Sequence, residues 1–138
     1  MMSIVIRPFR DQDRHEVIEL WGRCGLIVPV NDPQKDIDCK MQVGSDLFLV
    51  GLRNNEVITT LMGGYEGHRG WLNYLAVDPL WQGKGYGKSM VEAVELRLLA
   101  KGCPKVNLQV RSSNIKVLDF YQRLGYQCDD VVSLGKHL

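Results

Sequence analysis

Residues 73–101 read NYLAVDPLWQGKGYGKSMVEAVELRLLAK and predict a strand, a glycine-rich loop and a helix in that order. The apolar run Tyr74–Val77 ends at Asp78-Pro79, which is a turn signal. Three glycines follow in QGKGYGK, residues 82–88, and a long amphipathic segment comes directly after them. Glycines let backbone N–H groups converge on an anion, and a helix N-terminus adds about half a positive charge. This order predicts a site that grips a diphosphate.

Length and charge favour an ordinary globular protein. The 138 residues predict a single domain, residues 1–138, with 45% hydrophobic and 24% charged content and a net charge of +1. The 17 Lys and Arg residues are scattered, so we expect no nucleic-acid partner. No apolar run approaches the roughly 18 residues of a membrane span, so we expect no membrane partner. Charged residues near the N-terminus interrupt any secretory signal, which predicts a cytoplasmic location.

The cysteines and histidines show no metal-site spacing. Four cysteines lie far apart without a CxxC pair, and the three histidines are equally dispersed. In a cytoplasmic protein such thiols are most often reduced and structural. We therefore predict no metal site.

Periodicity along the chain predicts the element order β-α-α-β-β-β-α-β-α-β, an α/β domain with a mixed sheet. Asp13 and Glu16 have the spacing of a capping box for the first helix, and Gly63-Gly64 suggests a bulge or a close backbone approach. The predicted strands cover residues 3–7, 47–52, 56–65, 71–77, 106–110 and 131–138, the last as a strand or hairpin arm. The predicted helices begin at residue 11 or 13, at 33, after the glycine loop and at 114.

Two common phosphate loops fit the glycine pattern poorly. A dinucleotide fingerprint starting at Gly83 meets Lys88 where its third glycine belongs. A P-loop gains its tail from Gly87-Lys88-Ser89, but its first glycine would be Gln82. A P-loop small-molecule kinase therefore stays only as a remote alternative.

A third pattern, Gln/Arg-x-x-Gly-x-Gly/Ala, is matched by Gln82, Gly85 and Gly87. An apolar-Ala-Val run, Leu75–Val77, ends five residues before this loop, and NIKVLDFYQRLGY follows later, at residues 114–126. In these features the whole chain resembles the GNAT superfamily of acetyl-CoA-dependent N-acetyltransferases, and among them a small bacterial branch of YpeA-like proteins. The resemblance implies a single-domain fold with a mixed, mostly antiparallel sheet of about six or seven strands and about four flanking helices.

The resemblance also implies acetyl-CoA as the acyl donor, with no metal. The main chain of Leu75–Val77 would hold the pantetheine arm and the thioester carbonyl. The loop would cradle the pyrophosphate, and Asn114 would either contact pantetheine or cap the last helix. The implied donor site consists of Leu75, Ala76, Val77, Gln82, Gly83, Lys84, Gly85, Tyr86, Gly87, Lys88 and Asn114.

The implied reaction is direct attack of a primary amine on the thioester. Tyr121 would protonate the departing thiolate, since the pKa values of phenols and thiols lie within about two units of each other. Family members often place a Glu base on the strand before the loop, and residues 71–77 contain no carboxylate. Glu66 is then the candidate base, through a water molecule, with His68 and Asp32 as further candidates.

The acceptor is left open among a small molecule, a peptide N-terminus and a lysine. We expect specificity to come from residues 26–32, the turn at residues 65–69 and the last strands. The missing strand carboxylate motivates a second hypothesis, a non-catalytic acyl-CoA-binding module. A homodimer, a common state in the family, is left open as well.

Overall fold

The structure is a computed structural model that describes residues 3–138. The described chain divides into two compact units, the first ending at Leu108 and the second comprising Gln109–Leu138. Across residues 3–138, no helix is long and apolar enough to cross a membrane.

The first unit is built on one mixed sheet of five strands, which are β1 (Val5–Pro8), β2 (Phe48–Arg53), β3 (Glu56–Tyr65), β4 (Gly70–Val77) and β5 (Val106–Leu108). Their spatial order follows the chain, β1-β2-β3-β4-β5. The first four strands pair antiparallel, and β4 pairs with β5 in parallel. The mixed, mostly antiparallel α/β architecture is confirmed, and the described residues supply five strands where six or seven were expected.

Residues 131–138 account for one missing strand, because they form none. Val131, Val132 and Leu134 are all exposed there. A strand needs a partner edge and a surface on which to bury its apolar side chains, so apolar residues alone do not create one.

Helices begin where local capping chemistry allows. Helix α1 spans Arg14–Arg23, α2 Pro33–Val43 and α3 Tyr86–Ala100 in the first unit. The predicted start of α2 is confirmed, since the Asp32 carboxylate accepts hydrogen bonds from the backbone N–H groups of Gln34 and Lys35. Just beyond the C-terminal end of α3, Gly102 adopts the left-handed φ of +83° that is favoured where a helix ends.

The predicted Asp13–Glu16 capping box is wrong. The buried Asp13 carboxylate accepts two bonds from the Arg7 guanidinium, at 2.7 and 2.9 Å, and one from the backbone N–H of Arg10. Burial raises the pKa of Asp13, but these bonds outweigh it and hold that pKa below its ordinary value. Glu16 accepts from the backbone N–H of Val57 on β3. A tertiary ion pair has displaced the local motif.

Helices α1 and α2 pack on one face of the sheet and α3 packs on the other. Gly63 on β3 allows the close approach of α3, because a Cβ there would lie 2.7 Å from Val94 Cγ1. The close approach expected at Gly63-Gly64 is confirmed, whereas the bulge lies elsewhere. The core between the sheet and α1 and α2 consists of Phe9, Val17, Leu20, Trp21, Ile37, Phe48, Val50, Val57, Met62 and Ala76.

The second unit contains helix α4, Ile115–Arg123. The Asn114 side chain caps its start by accepting from the backbone N–H of Val117. Gly125 follows its end with a φ of +97°. The ring of Tyr121 is buried and meets the rings of Phe120 and Tyr126 edge-on.

Candidate active site

Strand β4 contains a bulge at Tyr74, between its two halves. Asn73 pairs with Met62 and Ala76 with Thr60, so two β4 residues face the single β3 residue between them. Tyr74 adopts a φ of +52°. A bulky non-glycine residue in this left-handed region is a genuine outlier and costs about 1–2 kcal/mol. Such strain persists only where the surroundings enforce it.

The bulge reverses the direction in which the backbone groups of β4 point. The N–H of Gly70 donates to Lys105, on the β5 side, whereas the N–H of Asp78 donates to Ile58, on the β3 side. These residues are eight apart, so an uninterrupted strand would point both N–H groups to the same side. Because of the bulge, Leu75 and Val77 point their N–H groups away from β3.

That side of β4 is an open edge in the second half of the strand. Strand β5 pairs only with Gly70–Leu72. Within residues 3–138, no strand pairs with residues 73–77 on the side away from β3. The N–H groups of Leu75 and Val77 therefore point to the open edge of the sheet. An extended ligand that bound here as if it were a further strand would meet both donors.

Side chains hold Tyr74 in its unusual conformation. Its ring stacks on Trp21 with 3.8 Å between ring centroids, and its hydroxyl donates to Asp36 Oδ2 at 2.5 Å. Its carbonyl accepts from the Thr60 hydroxyl, which in turn accepts from Trp21 Nε1. Burial, the hydrogen bond to Asp36 and the charges of Asp36 and Asp32 all raise the pKa of Tyr74. Groups from α1, α2 and β3 thus fix one residue of β4.

The carbonyl groups that follow are held by side chains as well. The Thr59 hydroxyl donates to the Ala76 carbonyl at 2.7 Å. The Val77 carbonyl accepts from the Cys24 thiol at 3.2 Å and from Gln82 Nε2 at 3.0 Å. The main chain at the end of β4 is therefore rigidly placed, and the Gln82 side chain ties the loop to it.

The glycine loop opens helix α3 with an exposed cluster of backbone groups. Gly83 and Gly85 have φ values of +75° and +87°, and a Cβ at either would meet nothing within 4 Å. Gly85 is the N-cap of α3 and has no side chain with which to cap the first N–H groups. The loop therefore offers open space and unfilled backbone donors to an anion.

Other loop residues contribute main chain or surface charge. The Tyr86 side chain is buried, and so is Gly87, so they present backbone only. Lys84 and Lys88 are exposed, and Lys88 Nζ lies 3.9 Å from Glu92. An exposed pair at this separation contributes little to stability and leaves the Lys88 charge accessible.

Glu66 lies at the opposite end of β4 from the loop. It precedes Gly70, and Leu75 is the fifth residue after Gly70 along the strand, a span of about 15 Å. Its carboxylate accepts from the backbone N–H groups of His68 and Arg69. These two bonds lower the pKa of Glu66. The structure thus does not bring Glu66 together with Leu75–Val77, and it gives the carboxylate a turn-forming role.

A cleft of about 420 Å³ adjoins that turn. Lys40 lies in it half-buried, and burial lowers the pKa of Lys40. Trp71 is partly exposed there, while Asp46 is paired with Lys101 at 2.7 Å. The cleft combines an aromatic surface with opposite charges.

The two remaining predicted site residues belong to the second unit. Asn114 caps α4 through its side-chain oxygen, at 3.4 Å from the backbone nitrogen of Val117, which leaves its amide NH₂ as a donor. Burial raises the pKa of Tyr121 to about 12. Leu75–Val77 and residues 82–88, in contrast, lie together in the first unit.

The thiols and potential metal ligands follow a simple distribution. Cys39 and Cys128 are exposed, Cys103 is buried, Cys24 is half-buried, and all four are free thiols. Burial raises the pKa of Cys24. Among residues 3–138, no group of three or more His, Cys, Asp or Glu side chains could hold a metal ion.

The residues that shape β4 are absent from the predicted site. Thr59 and Thr60 are completely buried polar residues within an otherwise apolar strand. Two adjacent hydroxyls in an otherwise apolar strand are the one signal in the sequence that a neighbouring strand has backbone carbonyls in need of a hydrogen-bond donor. No pattern in the sequence signalled Asp36 or the contact of Trp21 with Tyr74.

Solved acetyltransferase structures share the fold of this chain. The PaiA N-acetyltransferase of Thermoplasma acidophilum, solved with coenzyme A, has a TM-score of 0.82 and 21% identity, covering 95% of this chain and 94% of that one. An aminoglycoside acetyltransferase from an uncultured soil metagenomic sample, solved with trehalose, has a TM-score of 0.76 and 22% identity, covering 98% and 96%. Glucosamine-6-phosphate N-acetyltransferase of Arabidopsis thaliana has a TM-score of 0.71 and 22% identity, covering 99% of each chain.

At these identities the solved structures show a shared fold. The model of the acetyltransferase (GNAT) family matches residues 9–126, which include the bulged strand, the glycine loop and α4. The chain belongs to the acetyltransferase (GNAT) family.

Proposed function

We propose that this protein transfers the acetyl group of acetyl-CoA to a primary amine by direct nucleophilic attack. The observation that carries the proposal is the open edge of β4 at Leu75–Val77, followed directly by the glycine loop that begins α3. The edge supplies outward main-chain N–H donors for the thioester arm, and the loop supplies an anion site for the diphosphate. The two features follow one another in the order in which an extended thioester with a diphosphate carries these groups.

The donor would be held mainly by main chain. Leu75, Ala76 and Val77 bind the pantetheine arm at the open edge, and the N–H of Leu75 receives the developing oxyanion. Residues 82–88 bind the pyrophosphate, with Lys84 and Lys88 at its rim and the Asn114 amide on the pantetheine. A fixed donor to an oxyanion accounts for about 3 kcal/mol of transition-state stabilisation in other enzymes.

In the proposed reaction the amine nitrogen attacks the thioester carbonyl carbon, and the carbon–sulfur bond breaks. Tyr121 donates its phenolic proton to the departing thiolate. Because the pKa of Tyr121 is raised to about 12, the phenol keeps its proton at neutral pH. The same rise weakens it as an acid, so we expect its loss to cost about 100-fold, the lower end for proton transfer by a side chain.

The attacking nitrogen must lose a proton to a base. We keep Glu66 as the candidate only through ordered water, since about 15 Å of strand separates its turn from Leu75. The Glu66 carboxylate also already accepts two backbone bonds. If Glu66 relays the proton, Glu66→Gln lowers the rate and alters its pH profile. An unaltered profile removes Glu66 as the base.

The test of the proposed function is thiol release from acetyl-CoA across a panel of amines, peptide N-termini and lysine peptides. We expect at least one acceptor to accelerate release, and Tyr121→Phe to slow it about 100-fold. Tyr126→Phe is the matched control, because it removes the same hydroxyl from a ring that packs on Tyr121.

Two outcomes would replace the proposal. If acetyl-CoA raises the melting temperature but no amine accelerates thiol release, the protein is an acyl-CoA-binding module, which the absence of a carboxylate from residues 71–77 favours. If ATP with Mg²⁺ stabilises the protein and acetyl-CoA does not, the remote P-loop kinase alternative is correct.

The acceptor, the location and the assembly extend the same proposal. We place acceptor specificity in residues 26–32 and in the turn at 65–69, which adjoins the 420 Å³ cleft. The single domain, the YpeA-like branch, the cytoplasmic location and a homodimer stay predictions.

A further inference from the structure

We propose that Asp36 is a positioning residue for acetyl transfer, acting through the Tyr74 hydroxyl to hold the bulge that aims the Leu75 N–H outward. The inference rests on the proposed function, because it assigns the aimed N–H to the thioester carbonyl. Asp36 lies on α2, 38 residues before Tyr74 in sequence, and its Oδ2 accepts from the Tyr74 hydroxyl.

The bulge determines whether Leu75 can act. Backbone groups of Gly70 and Trp71 follow the register before the bulge, and Asp78 follows the register after it. If the first register continued through the strand, Leu75 and Val77 would point their N–H groups at β3 instead of the open edge. One left-handed residue, Tyr74, separates the two arrangements.

Each group that holds Tyr74 restrains a different part of it. Trp21 restrains the ring by stacking, and the Thr60 hydroxyl restrains the carbonyl. Asp36 restrains the far end of the side chain with a bond of 2.5 Å, the length of a short charge-assisted O–H···O⁻ bond. Without the Asp36 bond the ring can slide on Trp21, and the main chain turns with it.

Asp36 is itself well anchored. Its neighbour Ile37 is completely buried. Helix α2, which carries both residues, is capped by Asp32, whose carboxylate accepts from the backbone N–H of Gln34. The carboxylate therefore has a fixed position relative to the sheet, as a positioning group requires.

Loss of the Asp36 bond should lower kcat, which depends on the transition state, more than it weakens the ground-state binding of CoA. The pyrophosphate loop binds CoA whether or not the acetyl group is present, whereas the Leu75 N–H acts on the acetyl carbonyl. Loss of a complete oxyanion donor costs about 100- to 1,000-fold elsewhere. A misaimed donor should cost less, so we expect about 10-fold in kcat, with little change in CoA affinity.

The kinetic test is a double-mutant cycle on the intact chain. We expect Tyr74→Phe, Asp36→Ala and the double variant to lose kcat by the same factor, because all three break one bond. Asp36→Asn should retain most activity, since its amide oxygen still accepts from the hydroxyl. Asp38→Ala is the matched control, because Asp38 is an exposed carboxylate on the same helix that pairs with Arg14.

A second measurement is independent of the acceptor. In amide NMR spectra, acetyl-CoA should shift the Leu75 N–H beyond the shift caused by CoA alone, and this difference should vanish in Tyr74→Phe and Asp36→Ala. The amides of residues 82–88 should respond to CoA in every variant.

The outcomes separate this inference from the proposed function. Additive losses in the double variant, or an acetyl-specific Leu75 shift that survives both substitutions, overturn the inference. Disappearance of the acidic limb of the kcat–pH profile in Asp36→Asn also overturns it, in favour of proton transfer by Asp36. If the amides of residues 82–88 in the wild type ignore CoA, the proposed function fails and this inference fails with it.

Discussion

Gly85→Ala provides the sharpest test of the glycine loop, because the same chain offers a matched control in Gly102→Ala. The two glycines flank α3, at its N-cap and just beyond its end, with φ values of +87° and +83°. A Cβ at either would meet nothing within 4 Å. Each substitution should therefore cost the backbone strain of a left-handed alanine, about 1–2 kcal/mol, without a steric clash.

The two variants should differ only in their response to acetyl-CoA. In the ligand-free protein, both melting temperatures should fall by about 3–7 °C at this chain length. The Cβ at Gly85 occupies space that the pyrophosphate needs, so we expect its affinity to fall at least 10-fold. Ligand at 100 times the wild-type Kd stabilises the wild type by about 2.7 kcal/mol, but a protein with a 10-fold weaker site by about 1.4 kcal/mol.

The assay is differential scanning fluorimetry with and without acetyl-CoA, supported by calorimetric titration. Gly102→Ala should keep the full ligand-induced rise in melting temperature, and Gly85→Ala should keep about half of it or less. An equal rise in both variants would refute the assignment of the loop to the pyrophosphate.

The remaining predictions concern stability and pH. Gly63→Ala should destabilise the fold by about 1–3 kcal/mol in urea unfolding, because its Cβ would lie 2.7 Å from Val94 Cγ1. Asp13→Asn should cost about 3 kcal/mol at pH 7 by leaving Arg7 without its buried partner. Since the pKa of Asp13 is lowered on folding, the wild type should lose this advantage as the pH falls below about 4, and unfolding at pH 3 should show a smaller gap. Because the pKa of Tyr121 is raised to about 12, kcat measured from pH 6 to 10 should show no loss from its ionisation; a fall near pH 10 that Tyr121→Phe abolishes would contradict this.

The elements that the sequence predicted well are those set by neighbouring residues. Asp32 and Pro33 mark the start of α2 wherever the helix packs, because the cap bonds reach only two or three residues ahead. The short gap between the predicted strands 47–52 and 56–65 contains Asn54 and Asn55, which both take the left-handed φ values that a two-residue hairpin turn between twisted strands requires. The position of the glycine loop could be predicted as well, because Gly83 and Gly85 are required by the backbone conformation of the loop itself.

The features that escaped prediction depend on distant partners. At the bulge, Tyr74 contacts Trp21 and Asp36 from two helices, and neither residue is near it in sequence. The Asp13 capping box failed for the same reason, since Arg7 on β1 reaches the carboxylate first. Local propensity yields wherever a tertiary contact is stronger.

The distribution of the thiols has a practical consequence. Exposed Cys39 lies on α2 in the first unit, and exposed Cys128 lies in the second. Cys103 is shielded by burial, and the Cys24 thiol is half-buried, with a raised pKa that keeps it protonated and unreactive. Maleimide reagents should therefore modify one position in each unit of the unaltered chain. Spin labels attached at these two positions would allow the separation of Cys39 and Cys128 to be measured with and without acetyl-CoA, without a single substitution.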